Sequence, residues 1–157
     1  MKTISQISNP FTRSSRGQSL VEFELALVIM IFMMLAVTDF GLAFFSWITL
    51  RDAAQEGATY ASVAPPFDTN SVAAIRSRVK EASVSPVNLG ILADDHINVD
   101  LVGTGTTACP GNGVRVTVTY DYRMISPWII GAPTIPVSAS VTDTILKAAN
   151  GVTCGGS

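Results

Sequence analysis

Between Leu25 and Leu50 the chain runs for 26 residues with a single charge, Asp39. A helix that crosses a bilayer needs about 20 predominantly apolar residues. The run is therefore expected to form a membrane-spanning helix, and the rest of the chain must fold around it. The remainder reads as soluble. Charged residues make up 14% of the 157, against about 25% in an average soluble domain, and the deficit is concentrated in this run. It starts about 24 residues from Met1, deep for the apolar core of a secretory signal, and no small-x-small site follows it. Asp39 and the bulky Phe44-Phe45-Ser46-Trp47 come next instead, so cleavage at its far side is not expected.

Charge is distributed unevenly about the run. Lys2, Arg13 and Arg16 precede it, with no acid among residues 1–17, whereas from Gln18 onward there are 7 basic and 12 acidic residues. By the positive-inside rule the N-terminus is expected in the cytoplasm and the C-terminal part outside. A net negative head also argues against nucleic acid as a partner.

Residues 1–17 (MKTISQISNPFTRSSRG) are polar and read as a cytoplasmic leader. A helix is expected to start near Gln18–Ser19, where Ser19 and Glu22 have the S-x-x-E spacing of a capping box. It continues past the run through the Ala-rich "LRDAAQEGATYASVA" and stops at Pro65-Pro66. Its extent is about 19–63, within a segment 18–64, and it is nearly 70 Å long at 1.5 Å per residue. Only part of that fits in lipid, with the span expected at about 24–50; the rest must project and carry a head over 67–157. In the head, "NSVAAIRSRVKEA" (70–82) puts Val72, Ile75, Val79 and Ala82 on one stripe of an amphipathic helix, with Asn70 as the expected N-cap. "HINVDLV" (96–102), "GVRVTVTYDYR" (113–123) and "IPVSASVTDTIL" (135–146) alternate apolar and polar residues. They read as half-buried antiparallel strands. The expected class is α+β, a long half-transmembrane helix with a small head of one helix and three to four strands.

Cys109 and Cys154 are the two cysteines, both in the part expected outside the cytoplasm. An even count in that setting points to a disulfide, with two free thiols as the alternative. Two Cys and the lone His96 cannot make a four-ligand zinc site. No nucleophile-elbow, Walker or metal-protease motif occurs, and Asp94, Asp95, Asp100 and Gly103–Gly105 do not have EF-hand spacing. Neither catalysis nor a cofactor is expected.

Glu22 and Glu24 stand at the mouth of the apolar run, where carboxylates are costly. Glu22 can be read as a first-turn carboxylate favoured by the helix dipole. The surrounding residues suggest another role. Gly17, then Gln18-Ser19-Leu20-Val21, then Glu22-Phe23, then the apolar run resembles the processing site of type IV prepilins, cut after the Gly with a Glu five residues beyond. The longer stretch is similar to the TadE-like family, minor pseudopilins of tight-adherence (Tad/Flp) pilus systems. The similarity lies in Arg16, Gly17, Val21, Glu22 and Phe23, in Asp39-Phe40-Gly41, and in "AAQEGATYA" from Ala53 to Ala61. Asp39 stands where Glu would be expected. The C-terminal half is similar more loosely, in its sharply alternating strand, its Pro-containing loop and its last strand.

The resemblance implies cleavage between Gly17 and Gln18 by a prepilin peptidase. It also implies assembly with other pilin or pseudopilin subunits through Glu22, Phe23 and Asp39, dependence on the Tad assembly machinery, and a place in the bacterial inner membrane or a pilus. In that setting Glu22 would neutralise the new amino terminus of Gln18 on a neighbouring subunit. Asp39 is open to two readings, a solvated residue at the outer interface or a contact with another membrane helix. Gly41, Ala53, Ala54, Gly57, Ala58 and Ala61 would let helices approach closely, or simply reflect helix propensity. The alternative function is an uncleaved, signal-anchored protein with a binding head.

Overall fold

The structure, a computed structural model, describes residues 15–85, 87–103 and 107–154. The leader expected over 1–17 lies outside them as far as residue 14. Helix α1 runs unbroken from Ser15 to Val63. It therefore starts before Ser19, which is an interior helical residue rather than a cap. Pro65 and Pro66 follow its end, as expected from residues that cannot continue a helix.

Helix α2 (Thr69–Glu81) is capped by Asp68 rather than Asn70: Ser71 N donates to Asp68 Oδ1 at 2.7 Å, and Asp68 N donates to Ser71 Oγ at 3.1 Å. The reciprocal pair is a capping box with Ser in the place usually taken by Glu or Gln. Ile75 and Val79 of the expected stripe are fully buried, whereas Ala82 is exposed. Three strands follow, β1 (Ile97–Val102), β2 (Gly113–Arg123) and β3 (Thr134–Thr144), in the antiparallel order β1-β2-β3. The long hairpin pairs Gly113 with Thr144 at one end and Arg123 with Thr134 at the other. The architecture is α+β.

The alternation in β2 is what makes the core. Val114, Val116 and Val118 are fully buried and Tyr122 nearly so, while Arg115, Asp121 and Arg123 face outward. Their partner is the upper part of α1. Leu50, Ala53, Ala54, Ala58 and Ala61 are all buried against the sheet and α2. The small residues of α1 thus make room for the chain's own head. Gly57 shows how tight the fit is, because a Cβ there would lie 2.5 Å from Val79 Cγ2 and 3.4 Å from Val116 Cγ1.

The hairpin is laid along α1 with its ends at opposite heights. Leu146 N, just beyond β3, donates to Ser62 O near the top of α1 at 2.8 Å. The tip, a short helix α3 (Pro127–Ile130) closed by left-handed Gly131, reaches down to Asp39. A disulfide joins Cys109 to Cys154 across a sequence separation of 45, tying the β1–β2 connection to the C-terminal tail. Closing a loop of that length is worth about 4 kcal/mol on the chain-entropy account, a useful addition for a head with so thin a core.

Candidate functional site

Two places along α1 carry the residues singled out in the sequence, and they differ in every physical respect. The first is the lower part of the helix. Leu20, Val21, Phe23, Leu25 and the apolar residues as far as Met34 are exposed on all sides, Phe23 at 67%; beyond them Leu35 is half-buried and Val37 is 70% exposed. Residues 17–38 are 22 residues, about 33 Å of helix, close to the roughly 30 Å hydrocarbon thickness of a bilayer. The helix is long and apolar enough to cross a membrane. The head meets it from about Leu35 and Ala36 upward, so the upper part of the span expected at 24–50 has one face covered by protein.

Glu22 and Glu24 sit on this bare segment, and Gln18 Nε2 donates to Glu22 Oε1 at 3.4 Å along one turn. Gly17 and Phe23 are exposed. No contact within the chain joins Glu22 or Phe23 to Asp39, which lies 17 residues or about 26 Å further along the helix.

The second place is Asp39 itself. It is only 5% exposed, and it is held by the chain's own hairpin tip. Ile125 N donates to Oδ1 at 2.8 Å, Ser126 N donates to Oδ2 at 3.0 Å, and Ser126 Oγ also donates to Oδ2. A carboxylate accepting backbone amides is among the stronger hydrogen-bonded arrangements. The tip needs it, because an irregular loop leaves amides with no ladder partner. Beside it lies a cavity of about 150 Å³ walled by Ala36, Ala43, Tyr122, Met124 and Ile135. Tyr122 Oη is buried there beside Asp39, outside hydrogen-bond geometry with any of the described residues. Burial pushes its pKa up, and the Asp39 charge adds to the rise, so the hydroxyl stays protonated.

Ile125, Ser126 and Tyr122 were not identified from the sequence. The available signal was the cost of a lone carboxylate in an apolar run, which demands a partner; nothing local says that the partner is 86 residues away.

Two acidic residues of the head, Asp68 and Asp94, have ordinary structural roles. Asp68 caps α2, and the Ser71 amide and hydroxyl hold its carboxyl below the usual range. Lys80 Nζ lies 2.6 Å from Asp94 Oδ1; that hydrogen bond, reinforced by the lysine charge, lowers the Asp94 pKa. Asp95 and Asp100 are exposed, and Gly105 lies outside the described residues. His96 is half-buried at the end of a 3-10 turn that leads into β1.

Residues 17–59 match a family model described as TadE-like protein. That is 43 of the 157 residues, and it covers both places just described: the bare segment with Glu22 and Phe23, and the clasped segment with Asp39. The family it points to is that of membrane-associated Tad pilus components. No curated protein and no solved structure matches the chain.

Proposed function

We propose that the protein is a minor pilin or pseudopilin, a non-enzymatic structural subunit that assembles with or primes a Tad-type pilus used in adhesion or export. The observation that carries this reading is the division of one helix within the TadE-like match. Residues 17–34 meet no protein surface among the described residues, while from Leu35 and Ala36 onward one side of the helix faces a head that is anchored at Asp39. A helix so divided suits a subunit held in the inner membrane by its lower half and handed from lipid to a bundle of neighbouring subunits. The lipid and the bundle offer the same apolar surroundings, so the transfer costs little.

On this reading a prepilin peptidase cuts between Gly17 and Gln18. Gly17 is exposed, and among the described residues nothing lies within 4 Å of where a Cβ would be. The N-terminus faces the cytoplasm, the head lies outside, and the partners are other pilin subunits and the Tad assembly machinery. The alternative, a permanently anchored binding head, needs no cleavage.

The test is N-terminal sequencing of protein extracted from the envelope of cells that carry Tad machinery. The expected sequence begins QSLVEF. A dominant Met1 or Lys2 terminus would support the uncleaved anchor instead.

A further inference from the structure

We infer that the tip of the β2–β3 hairpin is a membrane foot, which seats Ile125 and Trp128 in the headgroup region of the leaflet on the head side. The inference rests on the reading above that α1 spans a bilayer, but it concerns a different part of the chain and a different surface.

Three observations support it. The first is position. The hydrogen bonds to Asp39 fix the tip at the height where α1 passes from bare to clasped. If residues 17–38 fill the hydrocarbon, the tip lies at its edge, continuous with the lipid-facing surface of the span.

The second is composition. Residues 124–133, MISPWIIGAP, contain no charge in ten positions. Ile125 is 54% exposed and Trp128 64% exposed. In a thin-cored head these large apolar side chains turned away from the core need a reason. Arg123, exposed at the end of β2 immediately before the tip, supplies a cation at headgroup level. Trp with a flanking Arg is the pairing found at membrane–water interfaces.

The third is donor satisfaction. Irregular backbone is costly near lipid unless its polar groups are paired within the protein, and four of the tip's amides are. Met124 N donates to Pro133 O at 3.2 Å, Gly131 N donates to Pro127 O at 2.9 Å, and Ile125 N and Ser126 N donate to Asp39. Pro127 and Pro133 have no N–H to satisfy. A buried carboxylate in an apolar helix is costly; here it pairs two amides of a loop at the edge of the lipid.

The experiment uses the full chain reconstituted in phosphatidylethanolamine–phosphatidylglycerol vesicles. The substitution Trp47→Phe, which keeps an aromatic ring against Phe44, leaves Trp128 as the one indole. Flotation and resistance to alkaline carbonate read the span; Trp128 fluorescence reads the foot. Expected is a blue-shifted emission, with loss of intensity when the lipids carry bromine near the headgroup end of the chains and little loss with aqueous acrylamide. Protein that floats but whose Trp128 is quenched by acrylamide and not by bromolipid overturns the foot and leaves the span standing. Trp128 shielded from both quenchers means a protein partner, such as a second copy, covers the tip, and also overturns it. Protein stripped from vesicles by carbonate overturns the span and the foot together.

Discussion

Along α1, residues 20–37 carry Leu, Ile, Val, Met and Phe on every side, while residues 53–61 carry Ala and Gly on one side and polar residues on the other. Both stretches are helical and apolar, but they meet different surroundings. Large side chains facing all ways fit a fluid or a bundle, where any neighbour of the right polarity will do. A stripe of small residues fits one rigid surface at short range, here the sheet and α2, where Gly57 leaves no space for a single methyl group. Side-chain size separates the part of a helix that seeks partners outside its own chain from the part already satisfied within it. Asp39 stands near the border, where the head is hydrogen-bonded to the helix.

The sharpest way to break the comparison is to remove that border. Asp39→Ala strands the amides of Ile125 and Ser126, at about 1–3 kcal/mol for each buried donor left unpaired. The expected result is release of the hairpin tip, with α2 and the upper core retained. Hydrogen exchange should show it: the Ile125 and Ser126 amides lose protection while Val116 and Val118 keep theirs. Asp39→Asn, which retains an acceptor oxygen, should be intermediate. Unchanged protection in Asp39→Ala would mean that the tip is held by packing around Tyr122 and Met124 alone.

Losing the disulfide acts on the upper half only. Cys154→Ser should lower head stability by roughly 2–5 kcal/mol, read as a fall in the thermal midpoint of the head, and leave association with vesicles unchanged. A smaller, paired comparison uses two glycines of α1, Gly41 and Gly57, that lie on either side of Ala53. Gly57→Val forces a β-branched side chain into Val79 and should cost about 1–3 kcal/mol by overpacking. Gly41→Val meets nothing within 4 Å and should leave the head unaffected. Equal effects at the two positions would show that backbone propensity, not the clasp, sets their cost.

What was legible in the sequence follows from the range of the interaction. The period-two alternation in β2 and β3, the stripe Ile75–Val79 and the Pro65-Pro66 stop are local patterns, and the elements lie within a few residues of where those patterns put them. The cap of α2 was misplaced by two residues because Asp68, Thr69 and Asn70 are all competent caps in sequence; the choice depended on Ser71 returning the hydrogen bond. The small residues of α1 were legible as a close-approach face, but not their partner, since a sheet and another helix ask for the same small side chains. Asp39 was legible as an anomaly and illegible as a contact, because its partners lie in a loop 86 and 87 residues later.

The smallest expected effect on the head belongs to the residue proposed to matter most for assembly. Glu22 lies on the bare segment, its only hydrogen bond among the described residues being the long one from Gln18 on the same helix. Glu22→Ala should therefore change the thermal midpoint of the head by nothing measurable, leave membrane insertion intact since the span becomes more apolar, and leave cleavage after Gly17 intact. On the proposed function, the new amino group at Gln18 of a processed subunit would be a cation among apolar helices, and Glu22 of a neighbour is the carboxylate proposed to neutralise it. Removing one member of a buried pair leaves the other charge uncompensated, at about 3–5 kcal/mol, which is roughly 100-fold or more in association. Glu24 is two residues on, some 200° around the helix at 3.6 residues per turn, and cannot face the same neighbour. Co-purification of processed wild-type, Glu22→Ala and Glu24→Ala protein with the other pilus subunits should show loss for Glu22→Ala alone. Equal retention of all three would reduce Glu22 to a carboxylate favoured by the positive end of the helix dipole, and the division of α1 would then concern anchoring rather than assembly.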